Sequence, residues 1–339
     1  MNVAVFAYSR RGCETARRVL ACFPDAVCRA YTMERFLTES FLPLQKPSQP
    51  FFGGLFAWAD AMIFVGSCGI AVREIAPHVK NKTTDPAVLC LDERAGFVIP
   101  LLSGHIGGAN ALAAHLAAQL GAVPVITTAT DVNRRFSVDA WAAEQGFAIS
   151  DMKTAKAVSA AILEQDVGLC SDFPVVTDYP AGTFPAASGE LGICISCTEK
   201  TPFQRTLRLI PPVLHLGIGC RKGITAEAVA EAVETVLRTH GIDRRALKCA
   251  ASIDLKQEER GLLEFCGRSG LPIRFYPAET LRGVAGDFTS SGFVESITGV
   301  DNVCERAALL GAEKLWVKKT AINGVTVAIA AEKLEVRFG

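Results

Sequence analysis

The residues best suited to chemistry lie in a glycine-rich loop at 103–110, which carries one histidine. An apolar run at 97–102 precedes the loop, and a helical pattern at 111–120 follows it. Backbone N–H groups at a helix N-terminus favour anions, and glycines let a ligand approach the backbone closely. The imidazole of His105 can transfer protons near neutral pH. The loop therefore predicts a binding or catalytic site. The alternative for His105 is a structural histidine bonded to loop carbonyls.

Small and polar residues of this loop are the candidates for substrate binding: Ser103, Gly107, Gly108 and Asn110. Two carboxylates are candidates to assist proton transfer. Asp131 follows a strand pattern at 123–128, where it could orient His105 or bind a ligand hydroxyl; the alternative is a helix N-cap. Glu305 could act as an acid or base, and the alternative is an ordinary carboxylate in the first turn of a helix.

Two other loops repeat the order of strand, glycine loop and helix. The first offers Gly66, Gly69 and Arg73 as binding residues, although Arg73 could instead pair with Glu74 on the helix surface. The second, at 217–223, resembles a dinucleotide fingerprint whose third glycine comes one residue late. Within the second loop we expect Gly219, Arg221 and Lys222 to bind a carboxylate or phosphate. The alternative is a tight turn with solvated charges.

A polar, glycine-rich region before the last helix adds further candidates. Ser291 lies within it, and the ring of Phe293 could stack on a planar ligand. Lys318 and Lys319 are neighbours on a predicted strand, so alternation places one on each face. Either lysine could bind a ligand, and Lys318 is the one we select.

The surrounding elements predict an α/β fold. Strand and helix patterns alternate over 1–146 and again over 211–339, which implies mostly parallel sheets covered on both faces. Short apolar runs broken by proline and glycine indicate a small linking domain at 147–210. The polar, proline-containing run at 38–54 is predicted to be a surface loop. The Asn-Gly pair at 323–324 predicts a hairpin between the last two strands.

Composition excludes some functions. The 339 residues include 35 basic and 35 acidic side chains with no basic run, so electrostatic attraction to nucleic acid or to a membrane is not expected. We find neither a signal peptide nor a long apolar run typical of a membrane span. The 12 cysteines are scattered, and only Cys194 and Cys197 form a CxxC pair. We expect mostly reduced cysteines in a cytoplasmic protein without a metal site.

Several of these motifs together resemble the CbiG family, the cobalt-precorrin-5A hydrolases. The stretches that resemble the N-terminal domain of this family are 66–73, 76–80, 101–110 and 126–131. Its C-terminal domain, shared with the CobE proteins, is resembled by 217–223 and 299–305. Ser67 stands where alanine is expected in the family, and Arg306 where proline is expected. The resemblance implies an N-terminal α/β domain, a linking domain and a CobE-like α/β domain.

The resemblance implies an enzyme of anaerobic cobalamin biosynthesis. Such an enzyme opens the ring A δ-lactone of cobalt-precorrin-5A with water and releases acetaldehyde, giving cobalt-precorrin-5B. It needs no separate cofactor, because cobalt arrives inside the substrate. His105 would activate water or move a proton, with Asp131 or Glu305 assisting. Transient contact with neighbouring pathway methyltransferases and a homodimer are both compatible with this function. The alternatives are a non-catalytic corrinoid carrier and a nucleotide-binding enzyme, which the late glycine of the 217–223 loop disfavours.

Overall fold

The computed structural model describes residues 1–81 and 84–338, apart from the side chain of Phe293. The predicted α/β fold is confirmed, with three mixed sheets in which parallel pairs predominate. The chain divides into two units, Met1–Trp141 and Ala142–Gly339, and the second contains two of the sheets. The division into three domains stays a prediction. Among the described helices, none combines the length and the apolar character needed to cross a membrane.

The first unit contains a seven-stranded sheet in the order β3-β2-β1-β4-β5-β6-β7. Its strands are β1 Asn2–Ala7, β2 Val27–Thr32, β3 Leu42–Pro43, β4 Ala61–Val65, β5 Ala87–Leu91, β6 Phe97–Leu102 and β7 Val123–Pro124. Its helices are α1 Arg10–Ala21, α2 Ser48–Trp58, α3 Cys68–Ile75, α4 Ala109–Leu120, α5 Ala129–Val132 and α6 Val138–Glu144, which runs into the second unit.

The central strands of this sheet are buried on both faces, which explains their unbroken apolar sequences. In β4, Ala61, Ile63 and Val65 pack in the core beneath α1 and α4. Met62 and Phe64 of the same strand pack in the opposite core beneath α2 and α3. The sheet is therefore a rigid platform for the loops at both of its edges.

Strand β6 runs antiparallel to β5, and this decides where the histidine loop lies. Leu102, at the end of β6, pairs with Val88 near the start of β5. A short turn at 92–96 joins the two strands. The carboxylate of Asp92 accepts hydrogen bonds from the backbone N–H groups of Arg94 and Phe97, at 2.8 and 2.7 Å. The loop at 103–110 consequently lies at the edge where β1, β4 and β5 begin.

The prediction of a surface loop at 38–54 is wrong in part, because α2 begins at Ser48. Phe52, Leu55 and Phe56 follow the helical spacing i, i+3, i+4 and are buried against the sheet. Burial of these three side chains outweighs the local preference of proline and glycine for loops.

The second unit begins with a five-stranded sheet in the order β10-β9-β11-β12-β8. Its strands are β8 Ala148–Ile149, β9 Val167–Ser171, β10 Thr183–Pro185, β11 Gly189–Ile195 and β12 Phe203–Ile210. One helix, α7 Met152–Glu164, packs on it and is capped by Asp151, whose carboxylate accepts the N–H groups of Lys153 and Thr154. The CxxC cysteines do not pair: Cys197 donates to a backbone carbonyl, and Cys194 lies beside Cys170 on β9.

The second sheet of this unit has the order β15-β14-β13-β17-β16. Its strands are β13 Leu214–Cys220, β14 Leu247–Ile253, β15 Ile273–Tyr276, β16 Lys314–Ile322 and β17 Val325–Ala331. Its helices are α8 Ala226–Thr239, α9 Arg260–Ser269, α10 Ala278–Arg282, α11 Gly292–Thr298 and α12 Val303–Leu309. The predicted hairpin is confirmed, because Asn323 and Gly324 both have positive φ, at 48° and 84°.

Candidate functional site

The histidine loop is held in a strained, specific conformation. Ser103 has a φ of 59°, unusual for a residue other than glycine, and its hydroxyl donates to the carbonyl of Asp85 at 2.9 Å. A Cβ at Gly107 would lie 2.3 Å from the Cβ of Ser103. Gly108, with a φ of 79°, is the N-cap of α4. Ser103 and Gly107 therefore build the loop, whereas their predicted role in substrate binding stays a prediction.

Both ring nitrogens of His105 contact carboxylates. Nε2 lies 3.0 Å from Oδ2 of Asp131 and 3.1 Å from the hydroxyl of Thr130. Nδ1 lies 3.4 Å from Oδ1 of Asp139, whose side chain is almost fully buried. The alternative of a histidine bonded only to loop carbonyls does not describe this geometry. Asp139 escaped the sequence reasoning, because no local motif links it to residue 105. Thr130 lies in the stretch 126–131 but was not selected as a site residue.

Asp131 contacts His105, and its predicted role of orienting that ring stays a prediction. Its Oδ2 also accepts hydrogen bonds from the amide of Asn110 at 3.0 Å and from the hydroxyl of Thr128. Asn110 is buried and also donates to Thr128 at 2.8 Å. The N-cap position of α5 belongs to Thr128, so the alternative of Asp131 as an N-cap is wrong. Asn110 contacts Asp131 instead of facing solvent. We call His105, Asn110, Thr128, Thr130, Asp131 and Asp139 the histidine cluster.

Electrostatics in the histidine cluster favour a charged imidazole. The hydrogen bond to Asp139, and then that to Asp131, raise the pKa of His105 above its ordinary value despite partial burial. Burial alone would raise the pKa of Asp131, but hydrogen bonds from Thr128, His105 and Asn110 lower it. A larger share of His105 is therefore in the imidazolium form, the form that can donate a proton.

The charge pair formed by His105 and Asp131 should make the stability of the fold depend on pH. The contribution of His105, whose folded pKa is raised, is fully present below its ordinary 6.5 and is lost as pH rises through the folded value. The contribution of Asp131 is present above its ordinary 3.8 and is lost as pH falls through its lowered value. We expect wild type to melt above His105→Gln between these two values, with the gap closing in alkali. Melting curves at several pH values test this. A gap that widens at high pH would contradict the charge pair.

The other binding residues predicted in the first unit lie at the opposite edge of the sheet. Gly66 and Gly69 follow the end of β4 and begin α3, where the hydroxyl of Ser67 accepts the N–H of Gly69 at 3.3 Å. Arg73 is exposed on the same helix. Strands of this length separate the two edges by about 16 Å. The structure therefore does not bring Gly66, Gly69 and Arg73 together with the histidine cluster.

The second unit contains a cavity of about 570 Å³ beside β13, β16 and β17, which we call the C-terminal pocket. The predicted Gly219, Arg221 and Lys222 line it, as do two lysines that sequence reasoning did not select, Lys256 and Lys319. Apolar side chains complete its walls: Ile253, Val294, Ile297, Val303, Ala321, Ile322 and Val325. The pocket thus combines apolar walls with four cationic side chains. Lys256 follows the carboxyl end of β14, where ligands of α/β proteins commonly bind.

Three predicted residues of this unit lie elsewhere. Lys318 is exposed and contacts Asp287 at 3.2 Å, so its selection over Lys319 is wrong for the C-terminal pocket. Ser291 is the N-cap residue of α11 and is not among the residues lining the pocket. The side chain of Phe293 lies outside the described residues, and its stacking role stays a prediction.

Glu305 is fully buried in the first turn of α12. Its carboxylate accepts hydrogen bonds from the N–H and hydroxyl of Thr289, the amide of Asn302 and the N–H of Lys319, at 2.6–3.0 Å. A carboxylate enclosed in this way does not contact a ligand. We therefore place Glu305 outside the reacting groups, in agreement with the alternative of a first-turn carboxylate. The described residues contain no group of three or more His, Cys, Asp or Glu side chains arranged to hold a metal ion.

Comparison with known proteins gives consistent matches. The family described as Cobalamin synthesis G N-terminal matches residues 51–131, and Cobalamin synthesis G C-terminus matches 214–330. A cobalt-precorrin-5A hydrolase of Salmonella typhimurium is 36% identical over 97% of each chain. A protein of that name from Priestia megaterium is 31% identical, over 97% of this chain and 94% of its own. Protein CobE of a Sinorhizobium species is 35% identical over 34% of this chain and 79% of its own.

Proposed function

Because the chain belongs to the CbiG family of cobalt-precorrin-5A hydrolases, we propose that it opens the ring A δ-lactone of cobalt-precorrin-5A and releases acetaldehyde. The observation that carries this proposal is the 36% identity with a hydrolase of that name over nearly the whole of both chains. The reaction belongs to anaerobic cobalamin biosynthesis and gives cobalt-precorrin-5B. Cobalt is part of the substrate, and the proposal includes no separate cofactor.

The C-terminal pocket suits part of such a substrate. The macrocycle is a flat, largely apolar body rimmed with carboxylates. The apolar walls of the pocket can cover the ring, while Arg221, Lys222, Lys256 and Lys319 can bind its carboxylates. A ring with its acidic side chains exceeds about 570 Å³, so the pocket would hold one sector of the rim.

His105 supplies the proton for lactone opening in this proposal. Water adds to the acyl carbon, the bond between that carbon and the ring oxygen breaks, and the departing alkoxide oxygen takes the proton of the imidazolium. The proton that water loses restores the imidazolium. The freed hydroxyl group then loses its proton as the bond between its carbon and the macrocycle breaks, which forms acetaldehyde; the electron pair of that bond stays on the macrocycle, which takes up a proton. Since the acid form is required, kcat should fall as pH rises through the raised pKa of His105.

The cations of the pocket rim should control affinity. Replacing Arg221 and Lys222 together by alanine should raise KM by about tenfold with little change in kcat, because charge-assisted contacts to carboxylates are lost. The effect should shrink at high salt. Initial rates of acetaldehyde formation at varied substrate measure it. Arg268→Ala is the matched control, because this exposed arginine of α9 pairs with Glu227 and Glu264 on the surface. An unchanged KM in the double variant would contradict the assignment of the pocket.

We also propose a cytoplasmic location. All twelve cysteines are free thiols. Disulfides form and persist in oxidising compartments, so this number of unpaired cysteines suits a reducing one.

A further inference from the structure

Strand β16 shifts register twice against β17, first between Leu315 and Val317 and again at the two lysines next to the C-terminal pocket. Val317 pairs with Ile329 and Thr320 pairs with Val327, so Lys318 and Lys319 together face the single residue Ala328 of β17. Two residues opposite one are a β-bulge, a feature that redirects side chains and is frequent beside active sites.

The bulge changes the face on which Lys319 lies. Val317 belongs to the apolar core that also contains Val327 and Ile329. Regular alternation would return Lys319 to that core face two residues later. Instead Lys319 lines the C-terminal pocket together with Ala321, while Lys318 lies outside and pairs with Asp287. The shift between Leu315 and Val317 has already turned the strand over, and the bulge at the lysines turns it back. Without this second shift, the pocket would lose one of its four cations to an apolar core.

The buried carboxylate of Glu305 holds the bulge. Its Oε1 accepts the N–H of Lys319 at 2.6 Å. Four neutral groups donate hydrogen bonds to this carboxylate: the N–H and hydroxyl of Thr289, the amide of Asn302 and the N–H of Lys319. Removing one partner of a buried hydrogen bond leaves the other unsatisfied, which makes this arrangement costly to disturb.

The same carboxylate also ties down the opposite wall of the pocket. Thr289 and Asn302 flank the segment that contains α11, and both donate to Glu305 at 2.7–3.0 Å. Val294 and Ile297 of α11 line the pocket. One buried group therefore anchors the cationic wall formed by Lys319 and the apolar wall formed by α11.

We infer that Lys319 binds a carboxylate of the corrinoid rim and that Glu305 is the positioning residue that aims Lys319 into the pocket through the bulge. The identity of the ligand rests on the proposed function. Because Glu305 is fully buried, it does not contact the substrate and acts on it only through Lys319 and α11.

Equilibrium binding of cobyrinic acid, a stable corrinoid with free carboxylates, tests the role of Lys319 in the full-length protein. Lys319→Gln should weaken binding by about tenfold or more, whereas Lys319→Arg should largely retain it. The methyl ester of the same corrinoid carries no carboxylates, so both Lys319 variants should bind it as wild type does. Lys318→Gln is the matched control and should bind both ligands as wild type does. Wild-type affinity of Lys319→Gln for the acid would overturn the inference.

The role of Glu305 is tested by combination. Glu305→Gln should weaken binding of the acid through Lys319 and through α11, and the methyl ester reports the α11 part alone. The loss beyond that seen with the methyl ester should not add to the loss caused by Lys319→Gln in the double variant. Additive losses would overturn the positioning role. If Glu305→Gln does not fold, Thr289→Val removes one donor to the carboxylate and should show the same non-additivity on a smaller scale.

Acetaldehyde release by wild type separates this inference from the proposed function. Binding that depends on Lys319 without acetaldehyde release would overturn the function alone. Release by wild type, together with unchanged substrate KM in Lys319→Gln, would overturn the inference alone.

Discussion

Replacing His105 by alanine is expected to lower kcat for acetaldehyde release by about 10²–10⁴-fold while the substrate still binds. The reason is the position of its imidazole between Asp131 and Asp139, which raises its pKa and keeps it ready to donate a proton. The alanine variant retains both carboxylates but has no group to protonate the departing oxygen. Steady-state rates and a binding titration on the same preparations measure the two effects separately.

His115→Ala is the matched control for this variant. His115 is exposed on α4, the helix that follows the histidine loop. We expect its replacement to leave kcat unchanged. Asp139→Asn gives an independent check, because it removes the largest cause of the raised pKa of His105. The alkaline fall in kcat should then move to lower pH. Full turnover by His105→Ala would refute the assignment of the proton donor.

Replacing Gly217 by alanine is expected to destabilise the second unit by about 3 kcal/mol, at the upper end of the range for overpacked cores. A Cβ at this position would lie 1.8 Å from the backbone carbonyl oxygen of Cys304. Backbone cannot move aside as a flexible side chain can, so α12 must shift away from β13. That helix carries Glu305, and Val303 and Cys304 line the C-terminal pocket. The variant should therefore lose affinity for the corrinoid as well as stability, as measured by thermal melting and titration.

Gly267→Ala provides the contrasting substitution in the same unit. Gly267 lies inside α9, and a Cβ added there would meet nothing within 4 Å, so alanine should stabilise the helix by about 0.5–1 kcal/mol. If Gly217→Ala melted at or above the wild-type temperature, the close packing of α12 on β13 would be wrong.

Much of the fold could be predicted from local patterns, and the antiparallel β6 shows where such patterns failed. The strands at 87–91 and 97–102 are each recognisable as apolar runs. The turn between them is too short for the crossover that parallel strands require, so the sequence contains the signal for a hairpin. If β6 were parallel to β5, as the alternation of strands and helices suggests, the histidine loop would lie on the same edge as Gly66 and Arg73. The antiparallel pairing of Leu102 with Val88 puts the loop on the opposite edge.

The candidate site depends more on contacts between distant residues. The loop at 103–110 and the cations Arg221 and Lys222 can be found from their spacing, because glycines and charges at a helix start form a local pattern. Asp139 cannot be found this way, since only the folded chain brings it to His105. Alternation places one lysine on each face of β16 but does not say which, because the strand shifts register twice. The second shift includes a contact between Lys319 and Glu305, fourteen positions earlier.

The most direct test of the proposed hydrolysis is a single turnover of cobalt-precorrin-5A in water labelled with ¹⁸O. We expect one equivalent of acetaldehyde per corrinoid consumed and one ¹⁸O atom in the carboxylate freed from the lactone, because water adds to the acyl carbon. The product mass and its fragments locate the label, and trapped acetaldehyde gives the stoichiometry. Binding of the substrate without acetaldehyde or label would contradict the hydrolase and favour a corrinoid carrier.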